Sequence, residues 1–196
     1  MPTAEVIAFA RASLPPAPAR VLEIGAGDGE LAAALAADGY DVLAVDPKPQ
    51  GEHVREASLL DVEGRFDAAV AVVSLHHVEP LEPSLEHLAG LIPRGGTLVV
   101  DELDVEALDE RAARWWIEHG GNGHDPLDMI EVMRRHIHAI PRIVAALSPA
   151  FALGEPVRGP YLHRWHLPPG LLEAEEAAIA IGKIPRVGVR FVGRRR

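Results

Sequence analysis

The sequence contains no cysteine, and this absence removes several kinds of chemistry at once. Without thiols the chain has no disulfide, no thiolate nucleophile and no zinc site built on sulfur. Any nucleophile or base must therefore be an oxygen or nitrogen group. The sequence also lacks a run of about 18 apolar residues, the length that a membrane-spanning helix needs. Because its start, Met-Pro-Thr-Ala-Glu, is not basic as in a signal peptide, we expect a cytoplasmic protein with no membrane partner.

Positive charge is also scarce. The 196 residues carry 19 lysines and arginines against 29 aspartates and glutamates, a formal net charge of −10. This balance disfavours a nucleic-acid partner, because phosphate binding needs a basic face, and it favours a small molecule. We interpret the basic carboxyl terminus, Arg190 and residues 194–196, as a solvated tail. A chain of 196 residues with 48% apolar residues is long enough to form one domain with a core, so we predict a single domain over 1–196. The composition does not indicate an oligomeric state.

The most informative segment is Val21 to Gly29, in which a short apolar run containing Glu23 leads into glycines at every second position. Glycine permits positive φ and close backbone approach, so the pattern predicts a buried strand that turns sharply. Residues 30–37 favour a helix whose first N–H groups point into the space above that turn. We therefore expect a ligand there, in contact with Gly25, Ala26, Gly27 and Gly29.

Two cofactor classes use such a strand, turn and helix. The dinucleotide fingerprint places a third glycine where this chain has Glu30, and a carboxylate there would repel a pyrophosphate. The form found here, G-x-G-x-G with a preceding acid, instead resembles motif I of class I S-adenosylmethionine-dependent methyltransferases. Asp46 ends the next apolar segment, 41–46, where a carboxylate can accept both hydroxyls of a ribose. Asp46 thus indicates a nucleoside without choosing between the two cofactors.

Strand and helix patterns alternate through residue 101, which predicts an open α/β sheet covered on both faces. The predicted helices lie over 3–14, 30–37 and 83–91, and the strands begin at Arg20 and cover 41–46, 53–57, 66–73 and 97–100. The second half favours helices over 105–118, 125–147 and 171–181, with Pro141 kinking the second. Late strands are predicted over 151–157 and 187–192.

Residues 20–101 resemble the cofactor half of a class I S-adenosylmethionine-dependent methyltransferase of the small-molecule type. Glu23 and the glycines are similar to motif I, Asp46 to the ribose acid, and Glu56 to the acid beside the adenine amino group, with Asp61 as the alternative. The resemblance implies one doubly wound, Rossmann-like domain with a mostly parallel sheet and a helical insert after the fifth strand. The residues that it implies for S-adenosylmethionine are Glu23, Gly25, Ala26, Gly27, Gly29, Asp46, Pro47, Glu56, Ala57 and Ser74.

His76 and His77 follow the strand at 66–73, at the edge where open α/β sheets bind ligands. Imidazole has a suitable pKa for a base near neutral pH, so these two are the candidate catalytic residues. The alternative is that one shapes the loop and the other packs beneath it.

We expect residues 103–147 to cover the substrate, since class I enzymes place acceptor recognition in variable inserts. Aromatic side chains suit a substrate site, and the candidates are Trp115, Trp116, His119 and Tyr161. Adjacent tryptophans on a helix point in different directions, so we expect one of Trp115 and Trp116 to lie in the core. No compact set of metal ligands is present among the histidines, and we predict no metal.

The sequence therefore predicts transfer of a methyl group from S-adenosylmethionine to nitrogen or oxygen of a small metabolite. Two alternatives stay open at this stage. One is a nicotinamide-dependent oxidoreductase, which Glu30 disfavours. The other is a module that binds S-adenosylmethionine without catalysis, because a fold does not determine a function.

Overall fold

A computed structural model describes residues 3–196. Their strands form one mixed sheet of eight, in the order β3-β2-β1-β4-β5-β8-β6, with β7 also paired to β8. The first five strands are parallel, and β8 runs antiparallel to β5, β6 and β7. The strands are β1 Arg20–Ile24, β2 Asp41–Asp46, β3 Arg55–Glu56, β4 Ala68–Val72, β5 Thr97–Leu103, β6 Phe151–Leu153, β7 Val157–Gly159 and β8 Gly188–Arg195.

Helices cover both faces of the sheet, as the sequence predicts. Along β1, Leu22 and Ile24 join one buried cluster with α3 and α6, while Val21 joins a second cluster with α1 and α2. This alternation follows from the pleat, which points successive side chains to opposite faces. The helices are α1 Ala4–Ser13, α2 Glu30–Ala37, α3 Leu81–Leu91, α4 Glu110–Glu118, α5 Pro126–His136, α6 Ile140–Leu147 and α7 Leu172–Ala180.

The helical insert is more broken than predicted. The helix expected over 105–118 begins at Glu110, because the carboxylate of Asp109 accepts the N–H of Ala112 and caps it. The helix expected over 125–147 is two helices, α5 and α6, so the predicted kink at Pro141 is wrong. Pro141 lies in the first turn of α6, where its missing N–H removes no helical bond. In the break, the N–H of His138 donates to the carbonyl of His76 at 2.9 Å.

The prediction of a solvated basic tail is wrong. Residues 188–195 form β8, which pairs with β5 along seven residues. The guanidinium of Arg190 binds the buried carboxylate of Asp101, and that of Arg195 donates to the carbonyls of Ala89 and Ala150. The arginines therefore lie at a strand between β5 and β6, where their long side chains reach acceptors on neighbouring elements.

Candidate functional site

The glycine turn, residues 25–29, leaves β1 with a left-handed backbone at Gly25, Gly27 and Gly29, whose φ values are +69°, +55° and +81°. Only glycine adopts this region without strain, so the sequence pattern is explained by the geometry. The N–H groups of Gly25 and Ala26 both donate to the carbonyl of Val45. A Cβ at Gly25 would lie 2.4 Å from the Cβ of Ser74, so the turn packs directly against the loop after β4.

Asp46 ends β2 beside this turn, as predicted. One carboxylate oxygen accepts the N–H of Gly27 at 3.0 Å, and the other accepts the N–H of Lys48 at 2.7 Å. The carboxylate therefore fixes the turn after β1 to the residues after β2. A carboxylate oxygen has a second lone pair, so both oxygens can still accept a ligand hydroxyl.

A first cavity of about 600 Å³ opens at the carboxyl edge of the parallel strands. It brings together six predicted site residues, namely Gly25, Asp46, Pro47, Ala57, Ser74 and His77. The hydroxyl oxygen of Ser74 is buried and has no hydrogen-bond partner among residues 3–196. The wall includes residues that sequence reasoning missed, among them Lys48, Ser58, Leu59 and Glu79.

A second cavity of about 410 Å³ adjoins the first, since Gly25 and Val73 line both. Glu23, Ala26 and Gly27 line it on the side of the glycine turn. Val73 has a φ of +54°, which is a true outlier for a β-branched residue. Such strain persists where the surroundings hold it, and it is typical of ligand sites. The opposite wall comes from Tyr161, Arg164, Trp165 and His166.

Glu23 is 4% exposed, and its Oε2 atom has no hydrogen-bond partner among residues 3–196. Burial raises the pKa of Glu23 to about 8, and the nearby charge of Asp28 acts in the same direction. The carboxyl group is therefore largely protonated at neutral pH. A cationic ligand group in the second cavity would favour its ionised form.

The two acids considered for adenine lie outside the walls of both cavities. Glu56 is exposed in β3, and Asp61 accepts the N–H and the hydroxyl of Ser58, at 3.1 and 2.6 Å. These hydrogen bonds hold the pKa of Asp61 below its usual value. Gly29 also lies outside the cavity walls. Residues 57–59, which separate the two acids, line the first cavity instead.

His76 and His77 differ in their surroundings. His76 is 4% exposed, and its Nδ1 lies 2.5 Å from a carboxylate oxygen of Glu102, so it shapes the loop. His77 is exposed and lines the first cavity. Although the side chain is exposed, the surrounding protein removes part of the hydration of the ring, and this desolvation lowers the pKa of His77. His76 and His138 also lower it, whereas Glu102 raises it. The net direction leaves a neutral imidazole at neutral pH, which is the form that accepts a proton.

Comparison with known proteins decides the family. A model of a methyltransferase domain matches residues 3–141, more than half of the chain. The chain belongs to this methyltransferase family. An uncharacterized methyltransferase of Mycobacterium tuberculosis is 38% identical over 95 residues, which cover 41% of this chain and 48% of the relative. The chain thus spans about half the length of the curated relatives that it matches.

Solved methyltransferases share the fold of this methyltransferase domain. One is an S-adenosylmethionine dependent methyltransferase from Mesorhizobium loti, with a TM-score of 0.63 and 17% identity. The match covers 99% of this chain and 98% of the other. The 1,6-didemethyltoxoflavin-N1-methyltransferase of Burkholderia thailandensis, bound to 1,6-didemethyltoxoflavin and S-adenosylhomocysteine, has a TM-score of 0.54 and 19% identity. That match covers 91% of this chain and 71% of the other. The family and the Rossmann-like fold are therefore confirmed.

Three of the four substrate-site candidates, Trp115, Trp116 and His119, line neither cavity. Trp115 and Trp116 are 2% and 3% exposed, so the expectation that only one of them is core is wrong. Both rings are held in the core, because Trp115 stacks on His119 and Trp116 stacks on Trp165. The fourth candidate, Tyr161, lines the second cavity. Burial raises the pKa of its hydroxyl, so the group stays protonated at neutral pH.

The predicted substrate cover, residues 103–147, supplies no lining residue to either cavity within the described part of the methyltransferase domain. Its buried side chains instead join cores on both sides of β5. Tyr161 and residues 164–166 line the second cavity together with the glycine turn instead.

Glu102 is the most important residue that sequence reasoning missed. It is fully buried, and one carboxylate oxygen accepts the N–H groups of Ser74 and Leu75 at 2.9 and 2.7 Å. The other oxygen binds His76. The signal was present in the sequence, because two acids, Asp101 and Glu102, interrupt an apolar strand, and a buried carboxylate requires partners.

No group of three histidine, cysteine, aspartate or glutamate side chains suited to a metal ion occurs within residues 3–196. Over the same residues, no helix is both long and apolar enough to cross a membrane.

Proposed function

We propose that this chain transfers a methyl group from S-adenosylmethionine to a nitrogen or oxygen atom of a small metabolite. The observation that carries the proposal is the first cavity, which joins the glycine turn and Asp46 to His77 in one space of about 600 Å³. It falls within the range of ordinary small-molecule sites, which is about 300 to 1,000 Å³. Family membership supports the same reaction class.

The residues present fit the cofactor. The glycine turn keeps side chains out of the space beside β1, and Asp46 retains lone pairs for the ribose hydroxyls. Ala57, Ser58 and Leu59 form the wall next to β3, where we place the adenine. The buried hydroxyl of Ser74 is an unused polar group in the same wall. Pro47 is assigned to the edge of the ribose site.

In the proposed mechanism, the cofactor supplies a methyl group that its sulfonium charge already activates. The protein then acts mainly by positioning, and the glycine turn and the loop after β4 hold the two reactants in line. His77 accepts the acceptor's proton when the acceptor arrives protonated. Glu102 holds His76 and the loop backbone, so it positions His77 without touching the acceptor.

A small acceptor suits the size and charge of the site. The second cavity adds about 410 Å³ beside the first, which is room for a metabolite and not for a folded partner. The net charge of −10 disfavours RNA and DNA as acceptors. A related fold binds a small heterocycle, 1,6-didemethyltoxoflavin, together with S-adenosylhomocysteine, so this scaffold accommodates such a pair.

The test is a product assay. Purified protein is incubated with S-adenosylmethionine and a broad metabolite panel, and S-adenosylhomocysteine is quantified. We expect product with at least one acceptor, and about 10²- to 10⁴-fold slower product formation by the His77→Asn variant for an acceptor that must lose a proton. Binding of S-adenosylmethionine without product from any acceptor would support the non-catalytic module instead, and binding of NAD alone would support the oxidoreductase.

A further inference from the structure

Two turns of this chain share one construction. The first, Leu75–His77, follows Ser74, and the second, Leu162–Arg164, follows Tyr161. The residues that precede them have matching backbones, with φ and ψ of −133° and −35° at Ser74 and of −151° and −36° at Tyr161. Both turns contain Leu-His, and each ends on a residue that lines a cavity, His77 in the first and Arg164 in the second.

A buried glutamate holds each turn in the same way. Glu175, like Glu102, is fully buried, and its Oε1 accepts the N–H groups of Tyr161 and Leu162 at 2.7 and 2.9 Å. Its Oε2 lies 2.7 Å from Nδ1 of His163. Burial alone would raise the pKa of Glu175, but the hydrogen bonds from His163 and the backbone lower it, so the carboxylate is ionised. The second turn is therefore as firmly held as the first.

The second turn presents a buried guanidinium. The Arg164 side chain is 6% exposed, and its Nη2 binds the buried carboxylate of Asp101. Arg190 binds the other oxygen of the same carboxylate, so two cations share one anion. The Nε and Nη1 atoms of Arg164 are buried and have no hydrogen-bond partner among residues 3–196. An unsatisfied buried donor destabilises a folded protein, so these two atoms call for an acceptor.

Glu23 is the acidic counterpart of Arg164 in the lining of this cavity. Glu23 and Arg164 both line the second cavity, and each carries buried polar atoms without a partner. An acid and a base that flank one cavity match a ligand group that carries an ammonium beside a carboxylate. A guanidinium is the side chain best suited to a carboxylate, because its donors form a planar fork.

We propose that Arg164 and Glu23 bind an α-amino carboxylate in the second cavity, with Arg164 on the carboxylate and Glu23 on the ammonium. This inference rests on the proposed function, which places the nucleoside in the first cavity, and Gly25 and Val73 line both cavities. Two ligands carry this chemistry: the amino-acid end of S-adenosylmethionine and an amino-acid acceptor. The hydrogen bonds that Glu175 accepts from the backbone of the second turn fix the position of Arg164. Arg164 is therefore placed to act as a specificity-determining residue.

The experiment compares two nucleosides by calorimetry. S-adenosylhomocysteine carries the α-amino carboxylate, and 5′-methylthioadenosine lacks it. If the group belongs to the cofactor, Arg164→Gln weakens S-adenosylhomocysteine binding at least about tenfold and leaves methylthioadenosine unchanged. If the α-amino carboxylate belongs to the acceptor, both nucleosides bind Arg164→Gln as tightly as they bind the wild type. In that case a free amino acid from a panel of twenty binds the S-adenosylhomocysteine complex of the wild type and not that of Arg164→Gln.

Arg190→Gln is the matched control. It removes the other arginine from Asp101 but lies outside both cavity walls, so we expect unchanged binding of both nucleosides. Retained methylthioadenosine binding shows that each variant keeps the nucleoside site. The inference is overturned if Arg164→Gln changes neither S-adenosylhomocysteine nor amino-acid binding, or if Arg190→Gln has an equal effect. Failure of both nucleosides to bind the wild type would instead overturn the proposed function, and this inference with it.

Discussion

At the scale of single residues, three carboxylates near the glycine turn differ in their partners. Asp46 accepts two backbone N–H groups, and Glu102 accepts two backbone N–H groups and a histidine ring. Glu23 has an oxygen without a partner. Burial raises the pKa of Glu23. Asp46 and Glu102 hold the backbone around the site, whereas Glu23 presents one oxygen without a partner among residues 3–196.

Glu23 makes the stability of the ligand-free protein depend on pH. Its pKa rises from 4.5 to about 8 on folding, so the folded state binds its proton more tightly. The free energy of unfolding should fall as pH rises from about 4.5 to about 8, by up to about 5 kcal/mol. Glu23→Gln should remove this fall, which urea unfolding at a series of pH values measures.

Asp61→Asn is the control for this prediction. The pKa of Asp61 lies below its usual value of 3.8, so its contribution to stability is lost only at lower pH. The variant should keep the wild-type slope between pH 4.5 and 8. An unchanged slope in Glu23→Gln would show that Glu23 is not the responsible group.

His77 should set the acid limb of the pH profile for an acceptor that loses a proton. The pKa of His77 is lowered from 6.5, so kcat/KM should be constant near neutral pH and fall below pH 6.5 as the imidazole gains a proton. His77→Asn should lower turnover about 10²- to 10⁴-fold and abolish this limb. Product formation at constant ionic strength measures both, and a persistent limb in the variant would exclude His77 as the base.

At the scale of elements, the glycine turn was predictable and the insert was not. The positive φ at Gly25 is visible in the sequence because this conformation selects glycine, which adopts it without strain. The breaks before Glu110 and at Ile137 to Ala139 depend on an Asp109 cap and on a contact between His138 and the distant His76. Local periodicity does not record contacts between residues far apart in the chain. The two turns held by Glu102 and Glu175 could not be predicted for the same reason, because each glutamate lies 12 to 28 residues from the backbone groups that it holds.

Two alanine substitutions separate strain from collision in the glycine turn. Gly25→Ala and Gly27→Ala each force a left-handed backbone on alanine, which costs about 1 to 2 kcal/mol. The new methyl at Gly25 would also meet Ser74, whereas no atom lies within 4 Å of a Cβ at Gly27. Gly25→Ala should therefore lose about 1 to 3 kcal/mol more in chemical unfolding than Gly27→Ala. Equal losses would mean that the turn and the Ser74 loop are not in contact.

At the scale of the whole molecule, the parallel half of the sheet followed from the alternation of strands and helices. The late strands and α7 were also predicted close to their observed bounds, but the antiparallel pairing of β8 with β5 and β6 was not. Arg194 and Arg195 resemble part of a polar tail in sequence, yet they end β8 and pair with β5 and β6. An arginine whose stem packs on a sheet and an arginine in solvent are the same residue in the sequence, so composition does not distinguish the two environments. The cover over the site was expected over 103–147 because class I enzymes place acceptor recognition in variable inserts, whereas Tyr161 and residues 164–166 line the second cavity. The roles of the site residues themselves stay predictions.

The most direct test is a calorimetric titration of the folded protein with S-adenosylhomocysteine, alongside Asp46→Ala. We predict one binding event for the wild type and a loss of about 1 to 3 kcal/mol in the variant, because Asp46 loses its ribose hydrogen bonds and its hold on the turn. Absence of binding to the folded wild type by both S-adenosylhomocysteine and S-adenosylmethionine would contradict the account.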